Sequence, residues 1–123
     1  MAQLGAAGAT VVAMGLAAPA AHADLSNKVV KIGVLTDQTG LYADAAGPGA
    51  VEAVRMAIAD FGGKVKGMPI EMVDADHQNK ADVGATIARR WFEQENVDVI
   101  VDFANSAVAF AVSELAKQKN KAI

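Results

Sequence analysis

The side chains best placed for chemistry in this 123-residue chain sit at a corner, Asn105-Ser106, inside the run VIVDFANSAVAFAV. The run begins β-branched and ends alanine-rich, so the corner falls where a strand feeds a helix. A helix N-terminus presents unpaired backbone N–H groups and a partial positive charge. It can therefore hold a carboxylate without any basic side chain, and Ser106 adds a hydroxyl that can donate to the same anion. Asn and Ser are also the ordinary N-capping residues, so position alone leaves capping and ligand contact both open. A second cluster, Asp74, Asp76 and His77, has the donor types of a metal site. Its ligand count is short, and solvated loop residues are the plainer reading, so no metal is assigned. Asp102, near the end of a strand, has the position of a phosphoacceptor or of a carboxylate bonded by backbone N–H groups. There is no cysteine nucleophile and no Ser/His/Asp set in a supporting context; a non-enzymatic protein is expected.

The elements that must place these residues can be read from periodicity. Residues 29–36 form a buried strand, bounded by Asn27 and by Asp37-Gln38-Thr39-Gly40. A glycine-rich loop with Pro48 follows. The first helix is expected over 51–61, with Val51, Val54, Ile58 and Phe61 on one face, and Gly62-Gly63 end it. The second strand is 68–74, with Pro69 near its start, followed by a polar loop at 76–79. The second helix is 82–95, with Val83, Ile87 and Trp91 inward and Asn96 closing it. The third strand is 97–103 and the third helix 106–119, with Val108, Val112 and Leu115 inward and lysines at its C-terminal end. Residues 121–123 begin a fourth strand. The order β-α-β-α-β-α-(β) implies right-handed crossovers and an α/β three-layer fold with a parallel sheet. Ligands bind such sheets beyond the carboxyl ends of the strands, which brings loops 37–49, 75–81 and 104–106 to one edge.

Two enzyme or signalling classes fail on motif. A Rossmann dehydrogenase requires G-x-G-x-x-G directly after the first strand; here Asp37-Gln38-Thr39-Gly40 stands there, and Gly47-Pro48-Gly49 has the wrong spacing. A receiver domain built on Asp102 requires an acidic pair after the first strand, and Asp37 stands alone. The net charge of −3 lacks the basic excess of a nucleic-acid binder.

No Lys, Arg, Asp or Glu occurs before Asp24. Leu4 to Ala20 is an apolar Ala/Gly/Val/Met/Leu run, and Ala21-His22-Ala23 has the small-x-small form of a signal-peptidase site. Residues 1–23 are read as a secretory signal peptide, although the positive n-region is missing, and 24–123 as the mature chain. An exported chain with no cysteine must rely on a large core.

The stretches KIGVLTDQTGLYADAAGPGAVEAVRMAIADF and GMPIEMVDADHQNKADVGATIARRWFEQENVDVIVDFANSAVAFAVSELAKQKNKAI together resemble the start of a periplasmic branched-chain amino-acid-type (leucine-binding-protein-like) solute receptor of an ABC transporter. The resemblance covers 29–123. It implies the type I periplasmic-binding fold, a clamshell of two α/β lobes closing on a ligand, of which 24–123 would be the first part of the N-terminal lobe. It places the ligand's carboxylate at the corner, here Asn105 and Ser106. It also places a pocket residue in the loop after the first strand, here Tyr42 with Leu41 and Asp44 beside it. Tyr42 packing on its own lobe is the alternative. Asn-Ser-Ala replaces the serine-rich corner of the amino-acid binders, which points away from a leucine-like ligand. The resemblance further implies a small solute (amino acid, amide, organic or aromatic acid), an ABC permease in the inner membrane as partner, a periplasmic location, no cofactor and a monomer at full length. A sensory ectodomain of the same fold is the alternative function. The segment 24–123 by itself is expected to bind solute weakly or not at all.

Overall fold

A computed structural model describes residues 28–123, so the expected leader at 1–23 lies outside the described residues. The elements are β1 (Val30–Thr36), α1 (Gly47–Asp60), β2 (Lys64–Val65), β3 (Met68–Asp76), α2 (Ala81–Glu93), β4 (Val99–Val101) and α3 (Ser106–Lys119). The sheet runs β2-β3-β1-β4. β1 lies parallel to β3 over its whole length, from Val30 opposite Ile70 to Thr36 opposite Asp76, and parallel to β4 from Ile32 opposite Val99 to Val34 opposite Val101. The chain's last residues add a parallel bridge, Ala122 to Val99, on the side of β4 away from β1. The alternation expected from periodicity is thus the observed one, with a parallel sheet at its centre.

Side chains alternate across a strand, and the two faces of this sheet are covered differently. Leu35, Val73, Ala75 and Ile100 face the paired helices α2 and α3, whose Ala88, Trp91, Phe92, Val108, Val112, Leu115 and Ala116 complete the core. Ile32, Ile70 and Val101, one position out of phase, face α1. Gly33 lies beneath Trp91: a Cβ at this position would stand 2.5 Å from the indole ring. Gly84 does the same where α2 meets α3, its would-be Cβ 2.6 Å from Val108 Cγ1. Two bare backbones therefore set how closely α2 can approach the sheet and its neighbouring helix.

The structure corrects the sequence reading in five places. The first helix begins at Gly47 rather than 51, taking the end of the expected 37–49 loop, because Pro48 sits in its first turn, where proline is tolerated. The buried stripe of α2 is Gly84, Ala88, Trp91 and Phe92, while Val83 and Ile87 are only half-buried. The close α2–α3 approach calls for small residues, and hydrophobicity alone pointed to the larger ones. Phe61 is 66% exposed and stands past the end of α1. The third strand shrinks from 97–103 to Val99–Val101; its C-terminal end is cut where Asp102 (φ 57), followed by Ala104 (φ 48), turns left-handed. The two-residue strand β2 was not foreseen. It pairs antiparallel with Met68 and Pro69 through Lys66 (φ 48) and Gly67 (φ 79), the double positive φ of a type I′ hairpin. Other local readings match: Gly62 (φ 92) and Gly63 (φ 68) end α1, and α3 has the expected bounds.

Candidate functional site

Three loops meet at the carboxyl edge of the parallel strands: 37–46 after β1, 77–80 after β3 and 102–105 after β4. Each is shaped first by its own polar residues. In the β1 loop, Asp37 is fully buried and accepts hydrogen bonds from the amides of Gly40 (2.8 Å) and Tyr42 (2.9 Å). Its carboxylate lies so close to Gly40 that a Cβ there would collide with it. This turn fixes where Tyr42 emerges. Leu41 is 78% and Tyr42 40% exposed, and Asp44 is exposed beside them.

The loops are then tied to one another. Asp76 Oδ1 accepts from the Gln38 amide (3.0 Å) and the Gln78 amide (2.7 Å), and Oδ2 accepts from the Thr39 hydroxyl (2.5 Å). Asp74 Oδ2 accepts from Gln38 Nε2 (2.9 Å). The two carboxylates that resembled metal donors by type thus hold the β1 loop against the end of β3. Burial opposes ionisation of Asp76, but the Thr39 hydroxyl and the Gln78 and Gln38 amides outweigh it and hold the carboxyl below its ordinary 3.8. His77 turns the other way, into the protein, fully buried. Its Nδ1 accepts from the Asn79 amide (3.0 Å) and its Nε2 lies 2.5 Å from the Phe103 carbonyl.

The third loop ends in the corner. Asn105 has extended backbone and caps α3, its Oδ1 accepting from the amides of Ala107 (2.7 Å) and Val108 (3.1 Å). Its Nδ2 donates to Asn79 Oδ1 across the loops. The carboxamide is therefore occupied at both ends. Ser106 is the exposed first residue of the helix, and among the described residues neither its amide nor its hydroxyl has a bonded partner. Of the five residues singled out from sequence, the structure brings Asn105 and Ser106 together at one helix start. It sets Leu41, Tyr42 and Asp44 on a neighbouring loop of the same edge. Gln38, Thr39, Asp76, His77 and Asn79 lie in the loops expected at this edge, but their part in tying those loops together was not foreseen. Their only signal was a polar stretch following a strand, and their partners lie 26 to 38 positions away.

Parallel strands ending in cross-linked polar loops, with a helix start open among them, define an α/β lobe built to carry a site on its carboxyl edge. The chain belongs to the periplasmic binding protein family, whose model matches residues 29–123. It is similar to a periplasmic binding protein of Burkholderia mallei (53% identity over 76% of this chain and 25% of that one, TM-score 0.73). It is also similar to a branched-chain amino acid ABC transporter periplasmic ligand-binding protein of Burkholderia xenovorans (51% identity, 76% and 25%, TM-score 0.72). A solute-binding protein of a Rhodopseudomonas palustris ABC transporter, solved with 3,4-dihydroxybenzoic acid, is similar at 27% identity (74% and 25%, TM-score 0.69). The chain thus spans a quarter of the length of these solved proteins. No curated protein matches it. The solved relatives are binding proteins rather than enzymes, as expected from the residues, and family membership carries a periplasmic setting with it.

Proposed function

We propose that this chain forms the first part of the N-terminal lobe of a solute receptor for an ABC uptake system, taking a small carboxylate such as an amino acid or an aromatic acid. The observation that carries the reading is the corner. The Asn105 carboxamide is spent on the cap and on Asn79, which leaves the Ser106 amide and hydroxyl as the open donors at the N-terminus of α3. A carboxylate there would accept from both and sit in the favourable field of the helix. Tyr42 and Leu41 offer exposed apolar surface on the neighbouring loop of the same edge, in keeping with sites that pair a few polar anchors with an apolar lining. One relative belongs to a branched-chain amino acid transporter and another was solved with 3,4-dihydroxybenzoic acid, and both kinds of solute carry a carboxylate. Closure of a second lobe would trap the solute, and the closed, monomeric form would dock on a permease in the inner membrane.

The test is calorimetric titration of the full-length receptor with isoleucine, with 3,4-dihydroxybenzoate and with the amide of each. Binding of one acid, with its amide at least tenfold weaker, is expected. Ser106→Ala should weaken that acid by about tenfold to a hundredfold, the worth of a hydrogen bond to a charged group. Amides binding as well as acids, or affinity indifferent to Ser106→Ala, would overturn the reading.

A further inference from the structure

The solute-binding reading above makes no use of His77, a fully buried imidazole at the end of β3. We propose that His77 is the positioning residue of the corner, setting the β4–α3 loop, and through it the N-terminus of α3, by donating one hydrogen bond to the Phe103 carbonyl. The inference rests on that reading for its consequence in binding, while the positioning itself stands on geometry.

The ring's two bonds fix its tautomer. The Asn79 amide can only donate, so Nδ1 beside it (3.0 Å) must be the bare nitrogen. The Phe103 carbonyl can only accept, so Nε2 (2.5 Å) must carry the proton. The backbone of His77 is held as well: its amide donates to Thr36 O (3.0 Å), extending the β1–β3 ladder, and its carbonyl accepts from the Lys80 amide (2.9 Å). The ring therefore stands on the sheet and reaches a segment that the sheet no longer controls. That segment is the one in which Asp102 and Ala104, on either side of Phe103, are both left-handed. Non-glycine residues keep such a conformation only where the surroundings impose it. Two anchors impose it here, His77 on Phe103 and Asn79 on Asn105, and both come from the 77–80 loop. The cap on Ala107 and Val108 then depends on where Asn105 is delivered.

The two bonds can be separated by substitution. In His77→Gln the side-chain amide reaches the position of Nε2 and keeps the donor to Phe103, while the acceptor for Asn79 is lost. In His77→Asn the side-chain oxygen keeps that acceptor and the donor is lost. In the full-length receptor, amide hydrogen exchange at Ala107 and Val108 is expected to quicken at least tenfold in His77→Asn and to stay within threefold of wild type in His77→Gln. Affinity for whichever of isoleucine and 3,4-dihydroxybenzoate the wild type binds should fall and recover in the same order, with the two melting temperatures alike. Equal exchange in the two variants would overturn the inference. Should neither variant fold, nitrogen NMR of the wild-type imidazole decides: a proton on Nε2 supports the assignment and a proton on Nδ1 overturns it. If exchange follows the expected order but neither acid binds, the solute reading fails and the positioning stands. If an acid binds and the two variants are indistinguishable, the reverse holds.

Discussion

Asp76 shows how a single carboxylate organises the edge. It gathers three donors from two loops, two of them backbone amides. Its burial is outweighed by those bonds, so the ionised form is favoured in the fold and its pKa lies below the ordinary 3.8. The sign follows directly. A group with a depressed folded pKa contributes stability that is fully present above the unfolded value and lost as pH falls through the folded one. Asp76→Asn should therefore destabilise by about 1 kcal/mol at about pH 7, where the bond from Thr39 and the charge are both lost. The deficit should vanish at acid pH, below the folded pKa of Asp76, where the wild-type carboxyl is itself protonated. Urea unfolding at the two pH values checks this, and a deficit independent of pH would contradict it.

At the scale of elements, close approach decides what packs. Gly84 sits in α2 with Val108 of α3 only 2.6 Å from where a Cβ would stand, whereas Gly49 in α1 has nothing within 4 Å. The same substitution should therefore change sign between two helices. Gly49→Ala should stabilise by about 0.4–1 kcal/mol through the unfolded chain. Gly84→Ala should destabilise by about 1–3 kcal/mol, since overpacking exceeds the gain in helix propensity. Thermal unfolding of the pair measures both. Two stabilising results would mean that α2 and α3 can separate freely. The capped start and the left-handed Asn120 at the end of α3 explain why that helix was legible residue by residue. Both are local signals, written in Asn105-Ser106 and in Asn120 after the lysine-bearing last turn. The strand before it was overestimated because periodicity does not register the left-handed turn at Asp102.

Among the described residues, the two faces of the sheet are covered unequally. One face carries two packed helices, while the other carries α1 and leaves an apolar groove of about 390 Å³ lined by Ile32, Val54, Ile58, Phe61, Ile70 and Val101. Contiguous exposed apolar surface of this kind drives association. Residues 28–123 produced as a separate domain should associate with rising concentration in sedimentation velocity and bind an apolar dye. Ile58→Glu with Phe61→Glu should reduce both, and a dye-free monomer at all concentrations would show that the groove closes by itself.

The sequence by itself determined the alternation of β1, α1, β3, α2, β4 and α3 (though not β2), the parallel α/β plan, the bounds of α3 and the corner at Asn105-Ser106. Each of these is encoded by short β-branched runs, by neighbours three or four positions apart in a helix, or by a cap beside its helix. Tertiary structure alone decided that Asp74 and Asp76 hold the β1 loop, that His77 turns inward to Phe103, and that Asn105 spends its carboxamide on the cap and on Asn79. It also decided that the small residues of α2, Gly84 and Ala88, are its buried face. These depend on hydrogen bonds and contacts between residues far apart in the chain, which come together only once parallel strands have brought their carboxyl ends to one edge.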